Sequence, residues 1–253
     1  MRALIRSISP AINRCELTHL ERVPLDVELA IEQHAVYVRV LEELGCRVIH
    51  VEPEPDLPDA VFVEDTAVVV EELAILTRPG AASRRPELPS MARTLREHRE
   101  LVAITAPGTL DGGDVLRIGR DIYVGRSARS NDEGIAQLAD ALAHHGYRVI
   151  AVEVDGCLHL KSAVTQVGPA TLLIDDACVD RAYWPDMQFI AVDPGEPGAA
   201  NALLLGGLVI HAVSAHETRA RMERAGLVVR PLDVSEIQKA EGGVTCCSVL
   251  LDM

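Results

Sequence analysis

One unit returns about five times along this chain: an apolar hairpin, then an amphipathic helix ending near glycine, then a short β-branched strand. The helix-to-strand half is plainest in Leu41-Glu42-Glu43-Leu44-Gly45-Cys46-Arg47-Val48-Ile49-His50, and it returns at 142–150 and 222–230. Gly45, Gly146 and Gly226 stand where a helix C-cap needs a left-handed residue. Hairpins read at 61–77, 114–125, 159–174 and 202–213, broken at Glu71-Glu72, Gly119-Arg120-Asp121, Gly168-Pro169 and Gly206-Gly207. They begin near residues 62, 111, 159 and 201, and a terminal strand at Cys246 supplies a fifth start. A spacing of about 42 to 49 residues lies in the range of repeat architectures. Five ββαβ units predict a closed ring, sealed by pairing of a final strand (247–251) with the opening strand (2–7). An ordinary mixed sheet with chance regularity is the alternative. No linker or low-complexity stretch divides the chain, so residues 1–253 read as a single domain of five pseudo-repeats. The segment 8–25, with two prolines and mixed polarity, reads as a long loop.

Composition narrows the function classes. Among 253 residues 48% are apolar but only 3% aromatic, so Val, Leu, Ile and Ala must carry the core, as suits a strand-rich α/β protein. A formal charge of −14 argues against nucleic acid and anionic membranes as partners, since both need concentrated Lys and Arg. It is compatible with a cationic small molecule. The six cysteines (15, 46, 157, 178, 246 and 247) include no short C-x-x-C pair, which fits neither a zinc ribbon nor a disulfide scaffold. Together with the lack of a signal peptide or an apolar run near twenty residues, this predicts a reducing cytoplasm. No dinucleotide fingerprint, P-loop, Gly-x-Ser-x-Gly elbow or His-Glu-x-x-His is present, so neither a cofactor nor a metal is expected. A homo-oligomer is compatible with the sequence.

Chemistry-bearing residues gather at the unit starts. Glu64 and Asp65 sit in the apolar run Val61-Phe62-Val63-Glu64-Asp65-Thr66-Ala67-Val68, read as a strand, with Asp59 just before it. Adjacent carboxylates there are expensive unless something satisfies them, and a guanidinium or ammonium ligand would. Both groups standing in water at a rim bulge is the bland account. The second unit opens Thr109-Leu110-Asp111-Gly112-Gly113-Asp114; its glycine pair permits close backbone approach, although Asp-Gly is also a common turn. The third opens Gly156-Cys157-Leu158-His159-Leu160-Lys161-Ser162, where His159 shares the phase of Asp111 and Glu64-Asp65. The fifth carries Cys246-Cys247 after Gly242-Gly243. On a strand the two sulfurs would face opposite ways, one into the core and one into a cavity. If the ring closes, a thiol, an imidazole, a carboxylate to orient it and carboxylates for a cation converge on the axis. That set suits nucleophilic attack on an electrophilic carbon.

These residues resemble the dimethylarginine dimethylaminohydrolases of the pentein, or guanidino-group-modifying, superfamily. The resemblance spans nearly the whole chain: Pro58-Asp59 through Asp65, Thr77-Arg78-Pro79-Gly80 with Ser83-Arg84-Arg85, Leu110 to Leu116, Leu158 to Ser162 and, most specifically, Thr245-Cys246-Cys247-Ser248-Val249-Leu250. It implies a five-bladed ββαβ α/β-propeller with a central active site and no cofactor. It implies Cys246 as nucleophile, His159 as general acid and base, and Asp111 as the carboxylate orienting His159. Glu64 and Asp65 would bind the guanidinium, Asp59 the substrate's α-amino group, and Arg84 and Arg129 its carboxylate, with Phe62 also lining the substrate site. The loop 8–25 falls where relatives carry a mobile lid, but departs from them in sequence. The implied reaction converts methylated arginine to citrulline and a methylamine. The same chemistry on free arginine or agmatine, and a non-catalytic guanidino binder or a metal site on Cys246 and His159, are the alternatives.

Overall fold

The computed structural model describes residues 1–252. The chain opens with strand β1 (Arg2–Ile5), helix α1 (Val27–Glu43) and strand β2 (Arg47–His50). The second blade is β3 (Ala67–Val69), β4 (Leu73–Leu76), α2 (Leu88–Arg96) and β5 (Glu100–Ala103). The third is β6 (Val115–Ile118), β7 (Asp121–Arg126), α3 (Asp132–Ala143) and β8 (Arg148–Glu153). Then follow α4 (Leu160–Ala163), β9 (Val164–Gly168), β10 (Thr171–Ile174) and β11 (Gln188–Ala191). The last stretch holds β12 (Ala202–Leu205), β13 (Leu208–Ala212), α5 (His216–Arg224), β14 (Val228–Leu232), α6 (Ser235–Gln238) and β15 (Val249–Leu250).

These strands form five separate three-stranded sheets. In each, the first strand pairs antiparallel with the second, and the second pairs parallel with the third after a crossover. One sheet is assembled from both ends of the chain: β15 supplies the inner strand to β1 and β2, in register Ala3↔Leu250 and Leu4↔Val249. The buried apolar side chains fall into five clusters, one at each seam between neighbouring sheets around the ring. A core split into five seams requires every blade to have two neighbours, so the ring closes. This is the closed ring that the repeat predicts and the five-bladed α/β-propeller that the resemblance implies.

Local chemistry explains the elements. Asp26 caps α1 by accepting from Leu29 N at 3.0 Å, and Asn131 caps α3 by accepting from Gly134 N at 2.9 Å. Gly45, Gly146 and Gly226 take φ of +84°, +74° and +87°, ending their helices as expected. Between β10 and β11 there is only a 3-10 turn, Arg181–Tyr183, in place of a long helix. The indole of Trp184, 1% exposed, fills that space against Tyr123 with ring centroids 5.2 Å apart.

The unit starts differ from the strand reading. Glu64 and Asp65 lie in a 3-10 turn, Val63–Thr66, closed by Thr66 Oγ1 donating to Val63 O at 2.6 Å. Gly112–Asp114 is a second such turn, and α4 is a third, helical one. Cys246 and Cys247 also sit in a turn, ahead of the two-residue strand β15. A tight turn can aim consecutive side chains toward the axis, which strand alternation cannot do. No helix among the described residues is long and apolar enough to cross a membrane.

Candidate active site

Asp65, Asp111, His159 and Cys246 each stand just before the inner strand of a blade, so four turns bring them to one mouth of the ring. Close approach is built on Gly113. A Cβ there would lie 2.6 Å from His159 Nδ1 and 2.7 Å from Asp65 Oδ1, so only glycine lets these side chains meet over the turn. His159 Nε2 lies 3.1 Å from Asp111 Oδ2, and its Nδ1 lies 3.9 Å from Asp65 Oδ1. Asp111 is itself fixed, accepting from Gly80 N at 2.9 Å, while its own N–H donates to Ser130 Oγ at 3.0 Å. Asp65 accepts from Gly113 N at 3.0 Å and from Arg84 Nη1 at 2.5 Å.

Electrostatics make the imidazole a cation and leave the thiol neutral. Burial alone would discharge His159, but Asp65, Asp114 and Asp111 outweigh it and lift its pKa to about 9. Burial first, then the charges of Glu64 and Asp65, push Cys246 up to about 12, against the Gly243 N–H that donates to its Sγ at 3.3 Å. Asp65 is held below the usual carboxylate range: burial would raise it, but His159 and Arg84 outweigh burial. Asp59 is pushed up to about 6 by burial, in spite of Arg84, and accepts Glu16 N at 3.1 and 3.2 Å.

Seven of the residues named from sequence line one cavity: Asp59, Phe62, Asp65, Arg84, Arg129, His159 and Cys246. Its volume is about 20 Å³, room for little more than a water, and Glu16 of the loop 15–20 is part of its wall. Asp111 stands behind His159, fully buried. Glu64 faces elsewhere: with Lys161 and Thr245 it lines a larger axial cavity of about 520 Å³ ringed by the inner strands of all five blades. Its carboxylate accepts from Lys161 Nζ at 2.5 Å and Thr245 Oγ1 at 2.8 Å, forming a partition between the two cavities.

Arg84 is nearly saturated. Its Nε and Nη2 donate to the Glu87 carboxylate at 3.0 and 2.9 Å, and Nη2 also meets Phe62 O and Asp59 O. With Nη1 on Asp65, one N–H of the five remains, so Arg84 as it stands offers an incoming carboxylate a single bond rather than a fork. The Arg129 guanidinium, by contrast, donates among the described residues only to Thr18 Oγ1, at 2.9 Å. Asp65, Asp111 and His159 also bring one ligand atom each within 4.8 Å of the others, a grouping that a cation can bridge.

Several residues of the site were not singled out from sequence. Asp114 accepts from Ser127 Oγ, Ser130 Oγ and Leu160 N, anchoring the turn that carries His159. Asn201 opens the fourth unit and exchanges hydrogen bonds with Thr245 at 2.9 and 3.1 Å, bracing the turn of Cys246. Its place at a unit start was the available signal. The thiol of Cys247, 1% exposed, points into the core and toward Gly243 O.

The ring and the chemistry at its mouth define the class: a pentein-type α/β-propeller whose axial cysteine faces an imidazole and carboxylates. Residues 16–185 match the family described as "N,N dimethylarginine dimethylhydrolase, eukaryotic". A dimethylarginine dimethylaminohydrolase of Streptomyces coelicolor is 42% identical over 252 residues, 99% of this chain and 96% of that protein. The Pseudomonas aeruginosa enzyme, solved as a cysteine-to-serine mutant complexed with citrulline, superposes with a TM-score of 0.93 at 31% identity over 98% of each chain. A histidine-to-glycine dimethylarginine dimethylaminohydrolase, solved as an adduct with S-methyl-L-thiocitrulline, gives 0.92 at 32% identity, again over 98% of both chains. The chain belongs to the dimethylarginine dimethylaminohydrolase family.

Proposed function

We propose that this protein hydrolyses Nω-methylated arginine to citrulline and methylamine or dimethylamine, through a covalent S-alkylthiouronium on Cys246. The observation that carries the reading is one cavity holding the Cys246 thiol and the His159 imidazole against a wall that includes Asp65 and Asp59. The thiol is neutral at rest. A guanidinium beside Asp65, across the partition from Glu64, offsets the two charges that raise the Cys246 pKa, so substrate binding itself favours loss of the thiol proton to water. The thiolate attacks the guanidinium carbon, forming a C–S bond and a tetrahedral adduct. His159, protonated below about pH 9, gives its proton to the methylated nitrogen as the C–N bond breaks. A water then attacks the thiouronium carbon as His159 takes one of its protons, and when the C–S bond breaks the adduct's hydroxyl proton passes to the departing sulfur, leaving citrulline and the neutral thiol.

Asp59 and Arg129, in the wall of the same cavity, supply charges for the α-amino and α-carboxylate groups, with Arg84 adding its one remaining donor. Two charged groups there favour an amino acid over agmatine, which has no carboxylate. All these residues come from one chain, read as one catalytic domain, with no cofactor required. The six cysteines, none of them in a disulfide, fit a reducing compartment such as the cytoplasm.

A citrulline assay over asymmetric and symmetric dimethylarginine, monomethylarginine, arginine and agmatine tests the assignment. The expected result is turnover of methylated arginines with release of the methylated amine. Faster turnover of arginine or agmatine, with ammonia released, would replace the substrate but keep the chemistry.

A further inference from the structure

The loop over the cavity is held by four side chains from around the ring. Asp59 accepts Glu16 N, Ser83 Oγ donates to Glu16 Oε1, Arg129 donates to Thr18 Oγ1, and Glu241 takes three backbone N–H groups in succession. Glu241 Oε2 accepts from Thr18 N at 2.8 Å, and Oε1 accepts from His19 N and Leu20 N at 2.5 and 2.6 Å. Successive N–H groups converging on one anion form a nest, among the stronger ways a loop can hold a charge. Glu241 is also the only non-glycine residue with positive φ among the described residues, at +57°. It therefore occupies a strained backbone position while its carboxylate grips the loop.

The four contacts are not equivalent. Asp59 and Arg129 are the charges assigned above to the substrate's amino and carboxylate groups, and here the loop's own N–H and hydroxyl engage them. Those bonds must exchange when substrate arrives. Glu241 has no such competitor. It lines the cavity, and Gly243, two residues on, gives its N–H to the Cys246 thiol.

We propose that Glu241 is a positioning residue: the latch that holds the loop 18–20 closed over Cys246, with substrate present or absent. The role rests on the proposed function for its meaning in turnover, but the closed loop can be tested without any substrate. A carboxylate that binds three amides keeps the loop shut while Asp59 and Arg129 change partners. The same segment then carries loop closure to the turn that mounts the nucleophile.

Glu241→Asn is the informative variant, because Asn tolerates positive φ and is too short to reach the nest. Glu241→Gln, which keeps the length but loses the charge, should fall between it and the native protein. Three readouts separate the latch from a structural role. In the free protein, alkylation of Cys246 by iodoacetamide, located by peptide mapping, should quicken roughly tenfold in the Asn variant as charge-assisted bonds are lost. Tryptic cleavage after Arg22 should quicken in parallel. With dimethylarginine, KM should rise about tenfold while kcat stays within about threefold. Unchanged alkylation and proteolysis in a variant with native Tm would overturn the latch, as would a fall in kcat at constant KM. If none of the arginine compounds is turned over, the substrate assignment fails, yet faster alkylation still upholds the latch.

Discussion

At the scale of single residues, the adjacent cysteines divide their labour by direction. Cys246 faces the cavity and Cys247 the core, so Cys246→Ser should abolish citrulline formation. Cys247→Ala should keep turnover within a few-fold and lower the unfolding free energy by about 1–2 kcal/mol in urea titrations, the scale of a small core truncation. The pH profile should carry two signatures. In the free enzyme Asp59 must be ionised to hold an ammonium and His159 protonated to act as an acid. A plot of kcat/KM should therefore fall below about pH 6 and above about pH 9. Asp59→Asn should remove the acid limb and leave the alkaline one. Folding shows the His159 effect independently. Its folded pKa of about 9 lies above the ordinary 6.5, so its contacts stabilise fully below pH 6.5 and that contribution is lost as pH rises through 9. His159→Gln should flatten this decline in urea unfolding.

At the scale of elements, the short turns ahead of the inner strands are what make a site of these residues, and two neighbouring glycines separate stability from chemistry. A Cβ on Gly112 would sit 2.0 Å from the Glu64 carbonyl oxygen, a backbone atom that cannot step aside. Gly112→Ala should cost about 3 kcal/mol or more, read by urea unfolding or by loss of soluble protein. A Cβ on Gly113 meets side chains instead, at His159 and Asp65. Gly113→Ala should fold but turn over on the order of a hundredfold more slowly, because the imidazole is displaced. These turns were hidden in the sequence. Val61 to Val70 is so apolar that its pattern matches a strand, and nothing local distinguishes a 3-10 turn entering a strand from the strand itself. The helix ends were legible, because a left-handed C-cap selects glycine wherever it occurs. The Glu64–Lys161 partition, the bracing of Thr245 by Asn201 and the grip of Glu241 on residues 18–20 join distant segments, so no local pattern encodes them.

For the whole molecule, closure of the ring is the stabilising event, and it depends on two residues of strand at the end of the chain. Removing 249–253 takes away β15, opens the first blade and exposes the seams on both sides of it. The truncated chain should show no cooperative thermal transition. Asp252, just beyond, ties Arg2 and Arg99 across the same closure, but it is a third exposed. Asp252→Asn should therefore move Tm by no more than about 2 °C, since exposed ion pairs contribute little. The five-fold repeat announced this closure. The number of seams, one per pair of neighbouring blades, follows from it.

The neutral resting thiol ties reactivity to the charge of what is bound beside it. Citrulline is an uncharged urea and cannot offset Glu64 and Asp65 as a guanidinium does. Once the amine has left and the C–S bond is cut, the product cannot re-arm the sulfur that made it. Recognition here is by charge at the moment of need: a neutral look-alike that fits the cavity meets an unreactive thiol, and only a cation switches the nucleophile on.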